Sequence, residues 1–486
     1  MVYYYKTLAI TAAIQDRLTN NILSASNIAL SHKGYLSNND STISLDLFEE
    51  GNDSVYITTA GWGCFNTAQV QAVYHGRAKA RCFFYGASRQ PYSDATLYLT
   101  DNNRPLGLGG KTVIQGKAYL PKAGVKVAFV DQQGFSGDHL INGPTDTSNA
   151  KLPALDPAFQ LFAGTVLSYL QQTSSSKDKN ESFGLPDSST NIFSRPVQVI
   201  HESGVLKIDS TKLHGKILVI ADSAIEVTSM AHLEDIIIVA PRILFKAGFT
   251  GVLQAFATDS IIVEKDCHFY YPSALVLVPK KKVEVQPKIR LNNGVIFEGC
   301  IYTIATPKTV YKPLLHIDTK ALVYGMVYCN GYLRLNGNVN GSVFTDYFLY
   351  PHNASLFENM VRDAEIRHHS AGDFGYWIKA STMVEVIVAL VIIMLIFMIT
   401  TFFFVNATKG GFTVNQAKGE GILEEYMTAT REEKLFTDEV AKREDFYIER
   451  TVKSYPGEDA LWMISFTLYN KNHERMTQKK IVLANE

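Results

Sequence analysis

Two aspartates near the turns of short apolar strands, Asp222 and Asp259, are the residues best suited to hydrolytic chemistry. Glycoside hydrolysis requires a pair of carboxyl groups flanking the bond that is cleaved. The intervening strand unit carries Pro241 near the corresponding position, so the acids do not form a continuous row. We interpret both aspartates as turn residues that make local hydrogen bonds, and we predict no catalytic residue and no enzyme.

Other reactive side chains lack partners at a useful spacing. His368 and His369 are adjacent and point apart on a strand or helix, with no cysteine or carboxylate at ligand spacing. The segment 61–64 (Gly-Trp-Gly-Cys) has a thiol but no base in view, and we interpret it as a tight turn with a buried aromatic ring. The sequence therefore predicts no metal site and no cofactor.

The cysteines form no CxxC pair and are odd in number, which argues against a zinc site or a disulfide framework. We expect them to be free and buried as small apolar side chains. The five are Cys64, Cys82, Cys267, Cys300 and Cys329.

Composition excludes several classes of protein. The chain has 486 residues, enough for two or more folding units, and a formal net charge of −1. This balance gives no reason to expect nucleic-acid binding. With 46% hydrophobic and 19% charged residues, the chain has ample apolar surface to bury, which excludes extensive disorder. The frequent Tyr and Phe, together with Val and Ile, favour β-structure.

An evenly spaced repeat is the main structural signal. Units of equal length begin at Ile217, Ile236 and Ala255, and a fourth opens at Ala274. Each opens with a short apolar strand and turns at Asp, Pro or Ser. A fixed period of about 20 residues is typical of a stacked solenoid. The β-branched strands and the Gly and Pro residues exclude a helical solenoid, and the ladder of leucine-rich repeats is missing. We therefore predict a right-handed parallel β-helix.

A second recurring pattern supports this prediction. An apolar residue, a central glycine and a second apolar residue recur at 114–118, 297–301, 323–327 and 339–343. The apolar residues lie two positions from the glycine on either side and share one strand face. The glycine permits a bend or the close approach of a neighbouring layer.

The predicted division combines this β-helix with helical and strand-rich segments. A mainly β chain is expected, with an N-terminal helix in which Ile14, Leu18 and Ile22 share a face. The predicted segments are 1–40 N-terminal helix, 41–135 strand-rich region, 136–200 helical insertion and polar linker, 201–350 β-helix, 351–380 connector, 381–435 transmembrane and continuing helix, and 446–486 small antiparallel sheet.

One uniformly apolar segment predicts a membrane helix. From Val386 to Val405 the chain carries no charged side chain. At a rise of ~1.5 Å per residue such a helix spans ~30 Å, the thickness of the hydrocarbon core of a bilayer. We therefore expect a single-pass protein with the lipid bilayer as a partner.

The residues in front of this segment resemble the processing and methylation signal of type IV prepilins and type II secretion pseudopilins. Lys379 is the basic residue, Ala380 the small residue before the cut, Ser381 the new amino terminus and Glu385 the acid at the fifth mature position. The family usually has Phe where this chain has Ser381. The resemblance implies a pilin-like C-terminal domain, with prepilin peptidase and other pseudopilins as partners.

The region 95–345 is similar to exported β-helical proteins of Bacteroidetes-type bacteria and, more loosely, to bactofilin-like polymers. Together these resemblances imply a non-catalytic, membrane-anchored protein of the bacterial inner membrane or cell envelope, capable of self-association. The orientation in the membrane stays open, as does the fusion of two reading frames near 370–385. The alternatives are a membrane-tethered carbohydrate-active β-helix and a cytoplasmic bactofilin-like scaffold.

Overall fold

The computed structural model describes most of the chain. The described residues are 2–31, 42–47, 53–85, 92, 94–129, 134–155, 159–165, 184–280, 285–305, 310–352, 355–367, 375–377, 411–455 and 458–484. Two long helices are α1 (Val2–Ser31) and α2 (Gly411–Glu432), and residues 159–165 are also helical.

Strands dominate the rest of the described chain. They are β1 (Thr42–Leu45), β2 (Asp53–Trp62), β3 (Phe65–Tyr74), β4 (Arg77–Tyr85), β5 (Ala95–Leu99), β6 (Leu106–Gly109), β7 (Val113–Gln115), β8 (Lys117–Leu120), β9 (Val125–Val127), β10 (Thr145–Thr147), β11 (Ser188–Asn191), β12 (Gln198–Glu202), β13 (Val205–Ile208), β14 (Lys212–Gly215), β15 (Ile217–Ala221) and β16 (Ala224–Val227). The series continues with β17 (His232–Phe245), β18 (Thr250–Val263), β19 (His268–Leu277), β20 (Lys288–Leu291), β21 (Ile296–Thr303), β22 (Leu314–Ile317), β23 (Leu322–Leu335), β24 (Asn338–His352), β25 (Ser355–Glu358), β26 (Met360–Arg362), β27 (Glu365–Arg367), β28 (Gly375–Trp377), β29 (Glu439–Arg443), β30 (Phe446–Tyr455), β31 (Glu458–Tyr469) and β32 (Arg475–Ala484).

The chain divides into two compact units. The first comprises Met1–Gly61, Asn66–Tyr85 and Trp377–Glu486, and the second comprises Trp62–Phe65 and Gly86–Tyr376. The tip of the β2–β3 hairpin thus belongs to the second unit, although the strands that carry it belong to the first.

The first unit contains two helix-and-sheet layers built from the two ends of the chain. Strands β1 to β4 lie side by side in chain order, as do β29 to β32. On α1 the side chains of Leu18, Ile22, Ala25 and Ala29 are buried at helical spacing and share a cluster with Val482 of β32. The predicted N-terminal helix is therefore present, and its apolar face packs against strands from both ends of the chain.

The C-terminal sheet that the sequence predicts over residues 446–486 also includes strand β29, which lies before that range. The additional strand β29 is exposed and rich in charge, so it lacks the alternation by which strands are recognised. A buried arginine joins this strand to the layer: Arg450 Nη2 donates a hydrogen bond to Glu439 Oε2 over 2.8 Å, and its Nε donates to the carbonyl of Thr437.

The second unit is a stack of parallel coils, which we call the parallel stack. Most of its strands pair in parallel with the strand one coil further along, as β12 does with β15 and β13 does with β16, whereas β25 pairs antiparallel with β24. The long strands β17, β18, β23 and β24 bend at a corner and pair along more than one face of the coils, as β17 does with β15 and β16. An interior of aliphatic and aromatic side chains fills the coils.

Register places one buried residue from each coil in a column through the stack. The column consists of Ile200, Val219, Ile238, Ala255, Leu275, Ile301, Val327, Val343, Leu97 and Ala118. The column returns to the early part of the chain because β24 pairs with β5 and β5 pairs with β8. Residues 95–147 thus stack on the end of the coils formed by later residues.

The predicted period holds for only part of the stack. Leu218 pairs with Ile237, one predicted unit further along the chain, but Ile237 pairs with Gln254 and Gln254 with Ala274. The coil from Ile237 to Gln254 is therefore shorter than the predicted unit, and the coil from Gln254 to Ala274 is longer. Register shifts at bulges near Asp235 and before Ala274 account for the change in coil length.

The recurring glycines lie where coils approach most closely. Gly299, Gly325 and Gly341 pair in register on successive coils and have φ values of 142°, 131° and 155°. A Cβ atom on Gly325 would overlap the carbonyl oxygen of Gly299, and one on Gly341 would overlap that of Gly325. The prediction that these glycines permit a close approach between layers is confirmed.

The predicted fold class, a right-handed parallel β-helix leading into a transmembrane helix and a pilin-like domain, is wrong. Among the helices that the structure describes, none is long and apolar enough to cross a membrane. The predictions of a transmembrane, pilin-like protein and of a single-pass location in the bacterial inner membrane are corrected accordingly. The segment Val386–Val405, on which they rested, lies outside the described residues.

Candidate functional site

The outer surface of the parallel stack carries ion pairs that connect one coil with the next. His201 Nε2 lies 2.8 Å from Asp222 Oδ1, and His268 Nε2 lies 2.8 Å from Glu298 Oε1. The same kind of contact recurs with other cations, at Lys246–Glu264 (3.5 Å) and Arg290–Asp318 (3.1 Å). These acids therefore contact basic side chains of an adjacent coil rather than lining a common groove.

The two aspartates singled out from the sequence have separate roles. Asp222 is hydrogen-bonded to His201 across a coil boundary, whereas Asp259 accepts a hydrogen bond from the hydroxyl of its neighbour Thr258 over 2.7 Å. The local hydrogen bond predicted for Asp259 is present, but the residue lies within strand β18 and not in a turn. For Asp222 the partner belongs to the preceding coil and is distant in sequence.

A denser cluster of ligating atoms forms between β14 and β17. His214, Glu234 and Asp235 each offer one nitrogen or oxygen atom, and these atoms all lie within 4.8 Å of one another. His214 and Glu234 occupy paired positions on adjacent strands, with Nδ1 3.4 Å from Oε2. We call these three residues the His–Glu–Asp cluster. Its donor set, one imidazole and two carboxylates, is one that binds divalent metal ions.

A bulge brings Asp235 to the side of its neighbour Glu234. Consecutive residues of a regular strand point to opposite faces, but Asp235 has a φ of 62° and the register with β18 shifts between Glu234 and Ile236. The side chain of Asp235 is only 3% exposed. The backbone conformation therefore places a buried carboxylate beside a half-exposed one.

The tip of the β2–β3 hairpin is attached to the same bulge. Trp62 is 4% exposed, donates from Nε1 to the carbonyl of Asp235 over 2.9 Å, and packs edge-on against Phe193. Gln254 Nε2 donates to the Trp62 carbonyl over 2.9 Å, and the Cys64 amide donates to Gln254 Oε1 over 2.6 Å. The interpretation of this segment as a tight turn with a buried aromatic ring is confirmed.

Four of the five thiols have raised pKa values, which favours their protonated form. Burial raises the pKa of Cys267 and of Cys300 to about 11 and that of Cys329 to about 12. Burial, with Cys300 nearby, also raises the pKa of Cys64. All five cysteines are free, but only Cys267 and Cys329 are fully buried, so the prediction of small buried side chains holds for those two. A protonated thiol is a poor nucleophile and a poor metal ligand.

Two titratable groups of the parallel stack have strongly shifted pKa values. Burial, followed by the charge of Arg334, lowers the pKa of His316 to about 4. Burial raises the pKa of Asp346 to about 6, against the opposing influence of Lys312. Both shifts favour the uncharged form, as expected for groups taken out of water.

The residues of the predicted processing signal are not among those described. Ala380, Ser381, Glu385, Val386 and Val405 lie outside the described residues, as do His368 and His369. The prepilin-like resemblance therefore stays a prediction.

No protein-family model, no curated protein and no solved structure matches this chain.

The His–Glu–Asp cluster is the set of residues that the sequence alone did not reveal. Two of its members are distant in sequence, and they meet because His214 and Glu234 stand one coil apart. Their separation along the chain is close to the predicted repeat, so a search for ligand pairs separated by one repeat could have found the pair. Asp235 could not have been found in this way, because its position depends on the bulge.

Proposed function

We propose that this protein is a non-catalytic scaffold whose parallel stack assembles end to end with a second copy of the chain. The observation that carries the proposal is the open edge of the first coil. Strands β11, β12 and β13 pair with β14, β15 and β16, and no strand within the described residues pairs with their other edge. Backbone amides and carbonyls on such an edge are a template for another strand.

The side chains at this edge favour association. Four large apolar residues on or between these strands are exposed to solvent. Ile192 is 41% exposed, Val197 39%, Val199 51% and Val205 59%. Natural edges that stay monomeric usually carry charges or proline at such positions. A contact between different ends of the stack is heterologous, so it can extend into a filament.

The pairing of surface acids supports the non-catalytic part of the proposal. Catalytic carboxylates of glycosidases face each other across a substrate. On this stack Asp222, Glu298 and Asp318 instead contact basic side chains on neighbouring coils, namely His201, His268 and Arg290. Such pairs hold the spacing between coils, which suits a rigid rod.

Sedimentation velocity over a range of concentrations tests the proposal. We expect the purified chain to associate reversibly, and Val199→Lys to weaken association by at least ~10-fold, because a charge on the edge opposes strand addition. Met230→Lys is the matched control, since Met230 is 61% exposed in the turn between β16 and β17 and belongs to none of the three edge strands. A chain that stays monomeric at every concentration, or equal effects of the two variants, would contradict end-to-end assembly.

A further inference from the structure

The His–Glu–Asp cluster has the ligand types and the spacing of a cation site. The side chains of His214 and Glu234 are 22% and 34% exposed, so both reach solvent, while Asp235 is only 3% exposed. Their ligating atoms lie within 4.8 Å of one another. Ligands that bind one zinc ion at ~2.0–2.2 Å stand ~3–4 Å apart, so a small rotation of the two half-exposed side chains completes the site.

Charge within the cluster also favours a cation. Two carboxylates and one imidazole have ligating atoms within 4.8 Å of one another, so the three side chains together offer two negative charges to an ion. Carboxylates in such proximity repel each other, and the burial of Asp235 weakens the screening by water. A divalent cation offsets both carboxylate charges and leaves the imidazole neutral, as a ligand must be.

The backbone holds the three ligands close to their places before any ion arrives. His214 and Glu234 are register partners on β14 and β17, flanked by Leu213 and Leu233, which are buried in the stack. Asp235 is fixed by its bulge and by the hydrogen bond from a tryptophan of the hairpin tip to its carbonyl. Preorganised ligands lose little conformational freedom on binding, which increases affinity.

We propose that His214, Glu234 and Asp235 bind a divalent metal ion of the zinc class, with water completing its coordination. Imidazole nitrogen selects zinc-class ions over calcium and magnesium, which prefer oxygen ligands alone. The ion joins β14 to β17 and thereby fixes two adjacent coils to each other. This inference does not depend on end-to-end assembly.

Calorimetric titration of the metal-free full chain with Zn²⁺ measures binding at the site. The thermal unfolding midpoint, measured at each Zn²⁺ concentration, reports whether binding stabilises the folded chain. Co²⁺ serves as a spectroscopic probe, since its visible absorption reports nitrogen and oxygen ligands in tetrahedral geometry. We expect Glu234→Gln to weaken Zn²⁺ binding at this site by at least ~10-fold and to abolish the Co²⁺ band, because the variant removes a charged ligand. Glu234 is half-exposed, so this substitution leaves the interior of the stack unchanged.

The chain offers a matched control in His268 and Glu298. This pair also joins adjacent coils, with 2.8 Å between its atoms, but it belongs to no three-ligand group within the described residues. Glu298→Gln should therefore leave Zn²⁺ affinity and the Co²⁺ spectrum unchanged. Equal loss in both variants, unchanged binding in Glu234→Gln, or tighter binding of Ca²⁺ or Mg²⁺ than of Zn²⁺ would overturn the proposal.

Discussion

Replacement of Gly325 by alanine is the most direct test of how the coils are stacked. Gly325 has a φ of 131°, a region that residues with a side chain rarely adopt, and strain there costs about 1–3 kcal/mol. A Cβ at this position would also overlap the carbonyl oxygen of Gly299 on the neighbouring coil. Since that oxygen belongs to backbone, no side-chain rotation relieves the overlap.

The two effects act together, and we expect Gly325→Ala to lower the free energy of unfolding by about 3–5 kcal/mol. Gly184→Ala is the control: Gly184 has no left-handed φ, and nothing lies within 4 Å of a Cβ placed on it. This control should change the free energy of unfolding by less than about 1 kcal/mol, with stabilisation as the expected sign.

Urea unfolding followed by tryptophan fluorescence measures both variants. Trp62 belongs to the second unit, whereas Trp377 and Trp462 belong to the first, so the latter two are replaced by Phe in every protein compared. The signal then reports the parallel stack alone. A Gly325→Ala variant as stable as Gly184→Ala would refute the close stacking of glycines on successive coils.

Three further predictions concern titration and the hairpin tip. Burial lowers the pKa of His316 to about 4 from 6.5, so the unfolded state binds the proton more tightly than the folded state does. Urea unfolding should therefore show the free energy of unfolding falling by about 2 kcal/mol between pH 7 and pH 5 because of this group, and His316→Gln should abolish that loss. The pKa of Asp346 is raised to about 6 from 3.8, so the folded state binds the proton more tightly and stability is lost as the pH rises through this range. Asp346→Asn should therefore raise the free energy of unfolding by about 1–2 kcal/mol at pH 7.5 and leave it unchanged at pH 3.5. Gly63 has a φ of 67°, and a Cβ added there would overlap the side-chain amide of Gln254, so Gly63→Ala should shift Trp62 fluorescence to the red. Gly76 has a similar φ of 71° but lies in open space, so Gly76→Ala should leave the fluorescence unchanged.

The strands and the glycine positions of the parallel stack could be predicted from the sequence because both obey local rules. Alternation of apolar residues reports which face of a strand is buried, as in the Val-x-Gly-x-Val pattern around Gly325 and Gly341. Both glycines lie in this local pattern, and the structure places them in register on adjacent coils. A signal that repeats over short distances along the chain survives in a single sequence.

The closing of the stack could not be predicted in this way. Strand β5 pairs with β24, which comes much later in the chain, and no repeat connects the two segments. In the first unit the contact between α1 and β32 joins opposite ends of the chain. Long-range contacts of this kind depend on which apolar surfaces remain after local structure has formed, and a period search does not measure that.

The membrane prediction went wrong for a different reason. It took the apolar run Val386–Val405 as sufficient for a spanning helix, whereas none of the helices that the structure describes is apolar enough to span a bilayer. On α1 the buried residues Leu18 and Ile22 are interspersed with exposed or half-exposed positions. The segment on which the membrane prediction rested lies outside the described residues, whereas the apolar face predicted for the N-terminal helix is present on α1.

The hairpin tip and the His–Glu–Asp cluster share one backbone feature, so they should be energetically coupled. The bulge at Asp235 sets the direction of its carboxylate and presents its carbonyl to Trp62. An ion bound to that carboxylate restrains the bulge, and the docked tryptophan restrains it from the other side. Coupling free energies are reciprocal. Gly63→Ala, which loosens the tip, should therefore weaken Zn²⁺ binding, and Zn²⁺ should protect Trp62 from fluorescence quenching by acrylamide. Zinc affinity that is the same in Gly63→Ala and in the unaltered chain would show that the bulge does not transmit this restraint.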